Sequence, residues 1–295
     1  MVEASTGSTV PRRQLGRHLR DLRNKARLTV RAAARKLEWS EAKMWRIETG
    51  QTSLRSHDVE TMCRVYGAPD HLTEALMGLA KETKARGWWH AYGDVIPEGF
   101  DLFIGLEEAA SEIDWYENEL VPGLLQDMNY ARVIMGTHNP DEADDEIERR
   151  VRLRTARQAL LTRTTEPATF NVVLSEAVLR RPIGGHSVMT GQLRHMLDVG
   201  ELPNATIRVV PFSAGLHLGV MSGPFGILRF PLNPDGGESE PATVYADGYT
   251  GDLYLDKPSE VAQYNNVFKS IWSAALDEQA SRRLISEMVG SYGQD

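Results

Sequence analysis

The sequence predicts an all-α N-terminal domain of five helices, followed by an α+β C-terminal domain. Apolar residues recur at helical spacing through residues 15–79. Short apolar runs typical of strands cluster between residues 170 and 256, with helical patterns on both sides. At 295 residues and 41% hydrophobic, the chain is long enough to bury two cores. We expect a flexible tail over residues 1–11, a first domain over 12–85 and a second over 86–295.

The first predicted helix carries a single apolar stripe. Leu15, Leu19, Leu22 and Ala26 lie at offsets of 0, 4, 7 and 11, which places them on one helical face. Arginines occupy much of the remaining surface of this helix. The pattern therefore predicts a helix that packs on its apolar face and presents positive charge elsewhere.

Residues 28–50, LTVRAAARKLEWSEAKMWRIETG, predict two short helices joined by a tight turn. Thr29 and Ser40 stand where each helix would begin, and their hydroxyls can accept from otherwise unpaired amides of the first turn. Met44 and Ile47 lie three residues apart, so both would face the core. This is the layout of a helix-turn-helix, whose second helix enters the DNA major groove.

The outer face of the second short helix is the predicted reading surface. Lys43 and Arg46 are donors suited to guanine or phosphate, Glu41 can accept from a cytosine amino group, and Ala42 can touch a thymine methyl. The full set of predicted DNA-binding residues is Arg12, Arg13, Thr29, Arg31, Ser40, Glu41, Ala42, Lys43, Trp45, Arg46 and Arg55.

Two further helical stripes complete the predicted first domain. The fourth helix carries Val59, Met62, Cys63 and Tyr66, and the fifth carries Leu72, Leu76 and Leu79. Cys63 is the single cysteine and lies on a core stripe, so we interpret it as a buried, inert thiol.

Charge is distributed unevenly along the chain. Residues 11–55 hold 13 Lys and Arg against 4 Asp and Glu, a balance of +9, whereas the rest of the chain has −17, which together give the net charge of −8. Positive potential is therefore concentrated where a polyanion would bind. A solvated basic helix face is the alternative interpretation.

The residues LGRHLRDLR and LTVRAAARKLEWSEAKMWRIETG resemble the Xre/Cro-repressor family of transcription regulators. The resemblance implies a structural ion pair between Arg23 and Glu48. The chain departs from the family pattern at Val30, where glutamine often contacts phosphate, and at Glu38, where the turn often has glycine. The turn must therefore accommodate a side chain in a strained backbone conformation.

Segments beyond the first domain resemble one actinobacterial group, which joins an Xre-type domain to a C-terminal domain of the DUF5753 type. The resemblance implies a regulator of development or secondary metabolism, and a small DUF397-type protein as a candidate partner. These segments are GWWHAYGD (87–94), YENELVPGLLQDMNYAR (116–132), EIERRVRLRTARQALLTR (146–163), SEAVLRRPIGG (175–185), LPNATIRVVPFSAGLHLG (202–219) and YTGDLYLD (249–256).

The second domain is predicted to alternate little between strands and helices, which favours α+β over α/β. A strand is expected at the start of FNVVLSEAVL (170–179), and further strands over ATIRVVPF (205–212), FGILRF (225–230), ATVYAD (242–247) and LYLD (253–256). Helices are expected over 103–111, 141–162, 188–199, 259–275 and 277–289.

Two features of the second domain have alternative interpretations. Trp88, Trp89, Trp115 and Tyr116 form a candidate ligand pocket or partner-helix surface, or else an interdomain core. Residues 212–223, FSAGLHLGVMSG, form either a lid or partner surface, or a connecting turn.

The sequence contains no motif of a hydrolase, nucleotide-binding enzyme or zinc site, so we expect no enzyme activity, metal or cofactor. It also lacks a membrane-spanning apolar run and a signal peptide, and we expect a cytoplasmic protein. The leading hypothesis is a dimeric, sequence-specific regulator that binds double-stranded DNA. The alternatives are an antitoxin-like module that pairs with a DUF397-type protein, and a small-molecule sensor.

Overall fold

The computed structural model describes residues 9–84, 87–97, 100–232, 236, 238–248 and 251–293. The chain divides into two compact units, Met1–Ala109 and Ala110–Asp295. The sequence placed the boundary between residues 85 and 86, so residues 87–97 and 100–109 lie in the first unit instead. Each unit is described by itself.

The first unit is helical throughout its regular structure. Its elements are α1 (Thr9–Lys25), α2 (Val30–Lys36), α3 (Glu41–Glu48), α4 (Ser56–Tyr66), α5 (Asp70–Glu82), a 3₁₀ turn (Trp88–Tyr92) and α6 (Phe100–Ala109). The predicted stripes of α1, α4 and α5 meet in one core that also contains Met44 and Ile47 of α3. Cys63 is buried there, as expected.

The packing of α6 on α1 explains where the first unit ends. Residues 9–11, expected in the tail, belong to α1, while residues 1–8 lie outside the described residues. Helix α6 packs on α1. A Cβ at Gly105 would overlap the Thr9 side chain, so the glycine permits this close approach. The packing of α6 on α1 is the reason that the division lies beyond residue 85.

The second unit contains a mixed sheet, six-stranded within the described residues, with helices around it. Its strands are β1 (Glu112–Glu117), β2 (Thr169–Ser175), β3 (Ala205–Val210), β4 (Phe225–Arg229), β5 (Thr243–Ala246) and β6 (Leu253–Leu255). The spatial order is β3-β2-β1-β4-β5-β6, in which β1, β2 and β3 are mutually parallel and the other pairings are antiparallel. Strand β1 lies at the centre and was not predicted.

The helices of the second unit largely follow the predicted periodicities. They are α7 (Met128–His138), α8 (Asp144–Ala156), α9 (Ala159–Thr162), α10 (Glu176–Arg180), α11 (His186–Val199), α12 (Leu218–Ser222), α13 (Pro258–Ala274) and α14 (Glu278–Tyr292). The single helix expected over residues 141–162 is two helices, α8 and α9, separated at Arg157 and Gln158. One sheet face forms a core with α13, in which Tyr116, Phe225 and Phe268 pack together.

Candidate nucleic-acid interface

The turn between α2 and α3 forms as the sequence predicts. Thr29 Oγ1 accepts from the Ala32 amide at 3.1 Å, and Ser40 Oγ accepts from the Lys43 amide at 3.1 Å. These caps satisfy amides that the first turn of each helix leaves unpaired. Between the helices Glu38 has φ = 57°, a left-handed conformation that costs energy for a residue with a side chain. The turn therefore accommodates Glu38 under strain.

Helix α3 has one buried face and one exposed face. Met44 and Ile47 are buried in the helical core. Glu41, Ala42 and Arg46 are exposed, and Trp45 keeps 56% of its surface accessible. An exposed tryptophan on a short helix is unusual, because burying its ring would be favourable. The outer face of α3 thus combines a cationic side chain with apolar groups.

A buried ion pair fixes the orientation of α3. Arg23 Nε lies 2.6 Å from Glu48 Oε1, and Arg23 Nη2 lies 2.8 Å from Glu48 Oε2. The hydrogen bond to Glu48 raises the pKa of Arg23 above its usual value. A third bond, from Arg23 Nη1 to the Leu28 carbonyl at 2.8 Å, reaches the segment before α2. One guanidinium therefore links α1 to the end of α3, as the family resemblance implies.

Close approach of α1 and α3 depends on Gly16. A Cβ at this position would collide with the carbonyl oxygens of Ile47 and Glu48. The bare glycine lets the two helices meet at backbone distance, beside the Arg23–Glu48 pair. The C-terminal end of α3 is therefore held from α1 by both packing and charge.

Besides Arg46, three of the predicted cationic side chains are at least partly exposed. Lys43 Nζ is 3.5 Å above the centre of the ring of Trp39, a residue of the turn between α2 and α3. Arg31 lies 4.0 Å from Glu41, and both side chains are exposed. Arg55, which immediately precedes α4, is exposed as well. These groups can donate hydrogen bonds to base edges or phosphates.

The sequence reasoning missed the role of Trp39. Its ring lies under Lys43, and an ammonium over an indole face is attracted by the ring quadrupole. The available signal was the spacing of the two residues, four apart across the start of α3. Trp39 thus limits the positions of the Lys43 ammonium.

The structure does not support a phosphate contact by Arg13. This side chain is only 6% exposed, and a Cβ at Gly50 (φ = 75°) would lie 2.6 Å from its Cγ. Arg12 is half-buried, donates to Thr9 Oγ1 at 3.2 Å, and has its pKa lowered by burial, with Asp101 opposing the shift. Because residues 9–11 extend α1, Arg12 and Arg13 lie within this helix and pack in the first unit instead of following a flexible tail.

Two of the four candidate aromatic residues, Trp115 and Tyr116, do not share a pocket. Trp115 and Tyr116 are consecutive on β1, so their side chains point to opposite faces of the sheet. Tyr116 is buried against Phe225, whereas Trp115 packs on Tyr245. In the first unit Trp89 is buried, while the partly exposed Trp88 donates to Glu108 Oε2 at 3.3 Å. The prediction that Trp115 and Tyr116 line a shared pocket is therefore wrong.

A polar cleft of about 910 Å³ lies between the sheet and α13. Arg229 occupies it and lies 2.7 Å from Asp114 and 3.0 Å from Glu112. The same guanidinium donates to Asn265 of α13 at 2.6 Å, and Asn171 donates to Asp114 at 2.9 Å. Because these groups pair with one another, the network links α13 to the sheet.

The described part of the chain contains neither a candidate metal site nor a candidate membrane-spanning helix. Within these ranges no group of three His, Cys, Asp or Glu side chains is placed to hold a metal ion. No helix in the described part of the chain is long and apolar enough to cross a bilayer.

Two family models match the chain. A helix-turn-helix domain model matches residues 14–76, which contain α2, α3 and the turn. A model of a domain of unknown function, DUF5753, matches residues 100–287, more than half of the chain. The chain matches no curated protein and no solved structure. The chain therefore belongs to the DUF5753 family and carries a helix-turn-helix domain at its N-terminal end.

Proposed function

We propose that this chain is a sequence-specific, DNA-binding transcription regulator of the Xre type, which reads the major groove with α3. The observation that carries the proposal is the exposed face of α3, which bears Arg46 and Trp45 opposite a fully buried face. A helix that is held rigidly on one side and left open on the other is suited to docking in a groove.

The chemistry of the exposed face defines the proposed contacts. Arg46 and Lys43 donate to guanine or phosphate, and Glu41 accepts from a cytosine amino group. Ala42 and the exposed ring of Trp45 offer apolar surface to thymine methyl groups. Arg31 and Arg55 contact phosphates on either side, which positions the helix without reading sequence.

The proposal includes a homodimer and a regulatory role for the second unit. One recognition helix reads only a few base pairs, and dimers of this class bind half-sites about 10 bp apart. The family resemblance favours regulation of development or secondary metabolism in the cytoplasm of an actinomycete, without catalysis. Pairing with a DUF397-type protein and binding of a small effector are the alternative roles of the second unit.

Selection of genomic DNA by the purified full-length protein tests the proposal. Bound fragments are sequenced, and we expect an enriched motif with two half-sites whose centres lie about 10 bp apart. A single enriched half-site would contradict the proposed dimer but would agree with sequence-specific DNA binding by α3. Fragments without any enriched motif would contradict sequence-specific binding.

A further inference from the structure

Residues 212–221, here called the apolar segment, expose an unusual amount of hydrophobic surface. Ten large hydrophobic side chains are exposed among the residues that the structure describes, and half of them lie in this one segment. They are Phe212 (60%), Leu216 (79%), Leu218 (41%), Val220 (59%) and Met221 (75%). Contiguous apolar surface of this kind marks an interaction site on a soluble protein, whereas single exposed residues do not.

The second unit holds the apolar segment in a fixed position. His217 Nδ1 accepts from the Gly219 amide at 3.2 Å, and its ring packs edge-on against Tyr116. A Cβ at Gly219 would collide with the Tyr116 ring, so the backbone lies directly on that ring. At the other end the Phe212 amide donates to Glu176 Oε2 at 2.8 Å. The exposed side chains therefore project from an anchored backbone.

Helix α12, which carries Leu218, Val220 and Met221, also packs on α13. Gly219 is buried, whereas the three large side chains of α12 are exposed. Because Gly219 is the residue in contact with Tyr116, the anchoring side of α12 has no large side chain of its own. The packing thus directs the apolar groups of α12 outward.

The apolar segment lies within an uncharged stretch of an acidic chain. Residues 209–228 contain no Asp, Glu, Lys or Arg, although the net charge of the chain is −8. Burial lowers the pKa of His217, which favours the uncharged form of its ring. Two copies with a net charge of −8 each repel one another overall, but at this stretch they meet without like charges.

The apolar segment is also complementary to itself. A two-fold interface places the same patch of both copies in contact, which requires a surface that can bind its own image. An uncharged apolar patch meets that requirement, because each copy buries the hydrophobic side chains of the other. A polar or strongly charged partner would find no ionic group here to pair with.

We propose that two copies of this chain pair through the apolar segment to form a two-fold dimer. This inference rests on the proposed function in one respect: a DNA site with two half-sites requires two recognition helices, and the dimer supplies the second. The dimer itself forms without DNA.

Sedimentation equilibrium of the full-length protein without DNA tests the interface. The variant L216K/M221K places two charges in the apolar segment, and we expect its dimer dissociation constant to rise at least 100-fold. The matched control L232K/M128K makes the same replacements at exposed positions outside the segment, and we expect it to remain dimeric. L216S/M221S removes apolar surface without adding charge and should weaken the dimer in the same direction.

Three results would overturn the proposed interface: a monomeric wild-type protein, unchanged dimerisation of L216K/M221K, or equal weakening by L232K/M128K. Circular dichroism establishes that each variant is folded before the comparison is made. Binding to a duplex with one half-site separates this inference from the proposed function. Monomeric L216K/M221K should bind one half-site as the wild type does, whereas a dimeric wild type without sequence preference would refute only the DNA-reading function.

Discussion

Glu38 is the residue at which the sequence pattern and the backbone geometry conflict. Its φ of 57° lies in the left-handed region, which residues other than glycine seldom adopt. We expect Glu38→Gly to raise the free energy of unfolding of the first unit by about 1 kcal/mol, because glycine adopts this conformation without strain. Urea denaturation measures the change. Glu38→Ala keeps the Cβ and should give no gain, and destabilisation by Glu38→Gly would contradict this account.

The Arg23–Glu48 pair should contribute more to stability than any exposed ion pair nearby. Both side chains are nearly buried and form two short hydrogen bonds, so removing one partner leaves the other charged and buried. We expect Glu48→Ala to lower the free energy of unfolding by about 3–5 kcal/mol, measured by urea denaturation.

The exposed pair Arg31–Glu41 provides the matched control for Glu48→Ala. Its atoms are 4.0 Å apart and both side chains are in solvent. Arg31→Ala should therefore change stability by less than about 1 kcal/mol. Equal effects of the two substitutions would mean that the buried pair does not fix α3.

The sequence correctly predicted which side chains of α3 are buried and which are exposed, because helical periodicity decides their orientation. Met44 and Ile47 are buried and Ala42, Trp45 and Arg46 are exposed, because the angular positions follow from the backbone alone. The burial of Arg13 was not predicted, because it depends on Gly50. This glycine lies 37 positions further along the chain and approaches α1 only after folding. The position of Lys43 over Trp39 likewise depends on the shape of the turn.

At the scale of the element, β1 carries a titrating group at its C-terminal end. Burial raises the pKa of Glu117 from 4.5 to about 8, against the lowering effect of the Asn118 amide, and Asp247 and Glu119 add to the rise. Between these two pKa values the folded chain holds a proton that the unfolded chain has lost. The stability of the second unit should therefore fall as pH rises from 4.5 to 8, by at most about 1.4 kcal/mol per pH unit.

Glu117→Gln tests this pH dependence because glutamine keeps the shape of the side chain and cannot ionise. Thermal unfolding at several pH values from 4.5 to 8 should show a smaller fall in stability for the variant than for the wild type. At pH 8 the variant should be the more stable of the two. Parallel stability curves for both proteins would exclude Glu117 as the source of the slope.

Elements were predictable where a strand or helix has a strong pattern of its own. Strands β2 to β5 have apolar runs that the sequence shows directly. Strand β1 reads EIDWYE, in which half of the residues are acidic. Its place at the centre of the sheet depends on Arg229 and Asn171 of the neighbouring strands, which pair with Asp114. Such cross-strand contacts join residues far apart in sequence, so local patterning did not reveal β1.

At the scale of the whole molecule, positive charge is concentrated in one short part of an acidic chain. The basic balance of +9 lies within residues 11–55, which include α2, α3 and the turn, while the remainder carries −17. Positive potential over the helix-turn-helix favours docking of a polyanion, and we expect the acidic remainder to limit non-specific association with DNA. The helix-turn-helix match and the exposed face of α3 support the proposed DNA-reading role of residues 11–55, and the proposed dimer supplies two recognition helices.

Fluorescence anisotropy with a genome-selected duplex tests the central claim, that the exposed face of α3 reads DNA. We expect Arg46→Ala to weaken specific binding by about 1–3 kcal/mol and to leave binding to a random duplex nearly unchanged. Arg64→Ala removes an exposed arginine of α4 and should bind as the wild type does. Wild-type affinity of Arg46→Ala for the selected duplex, or an equal loss in Arg64→Ala, would contradict the account.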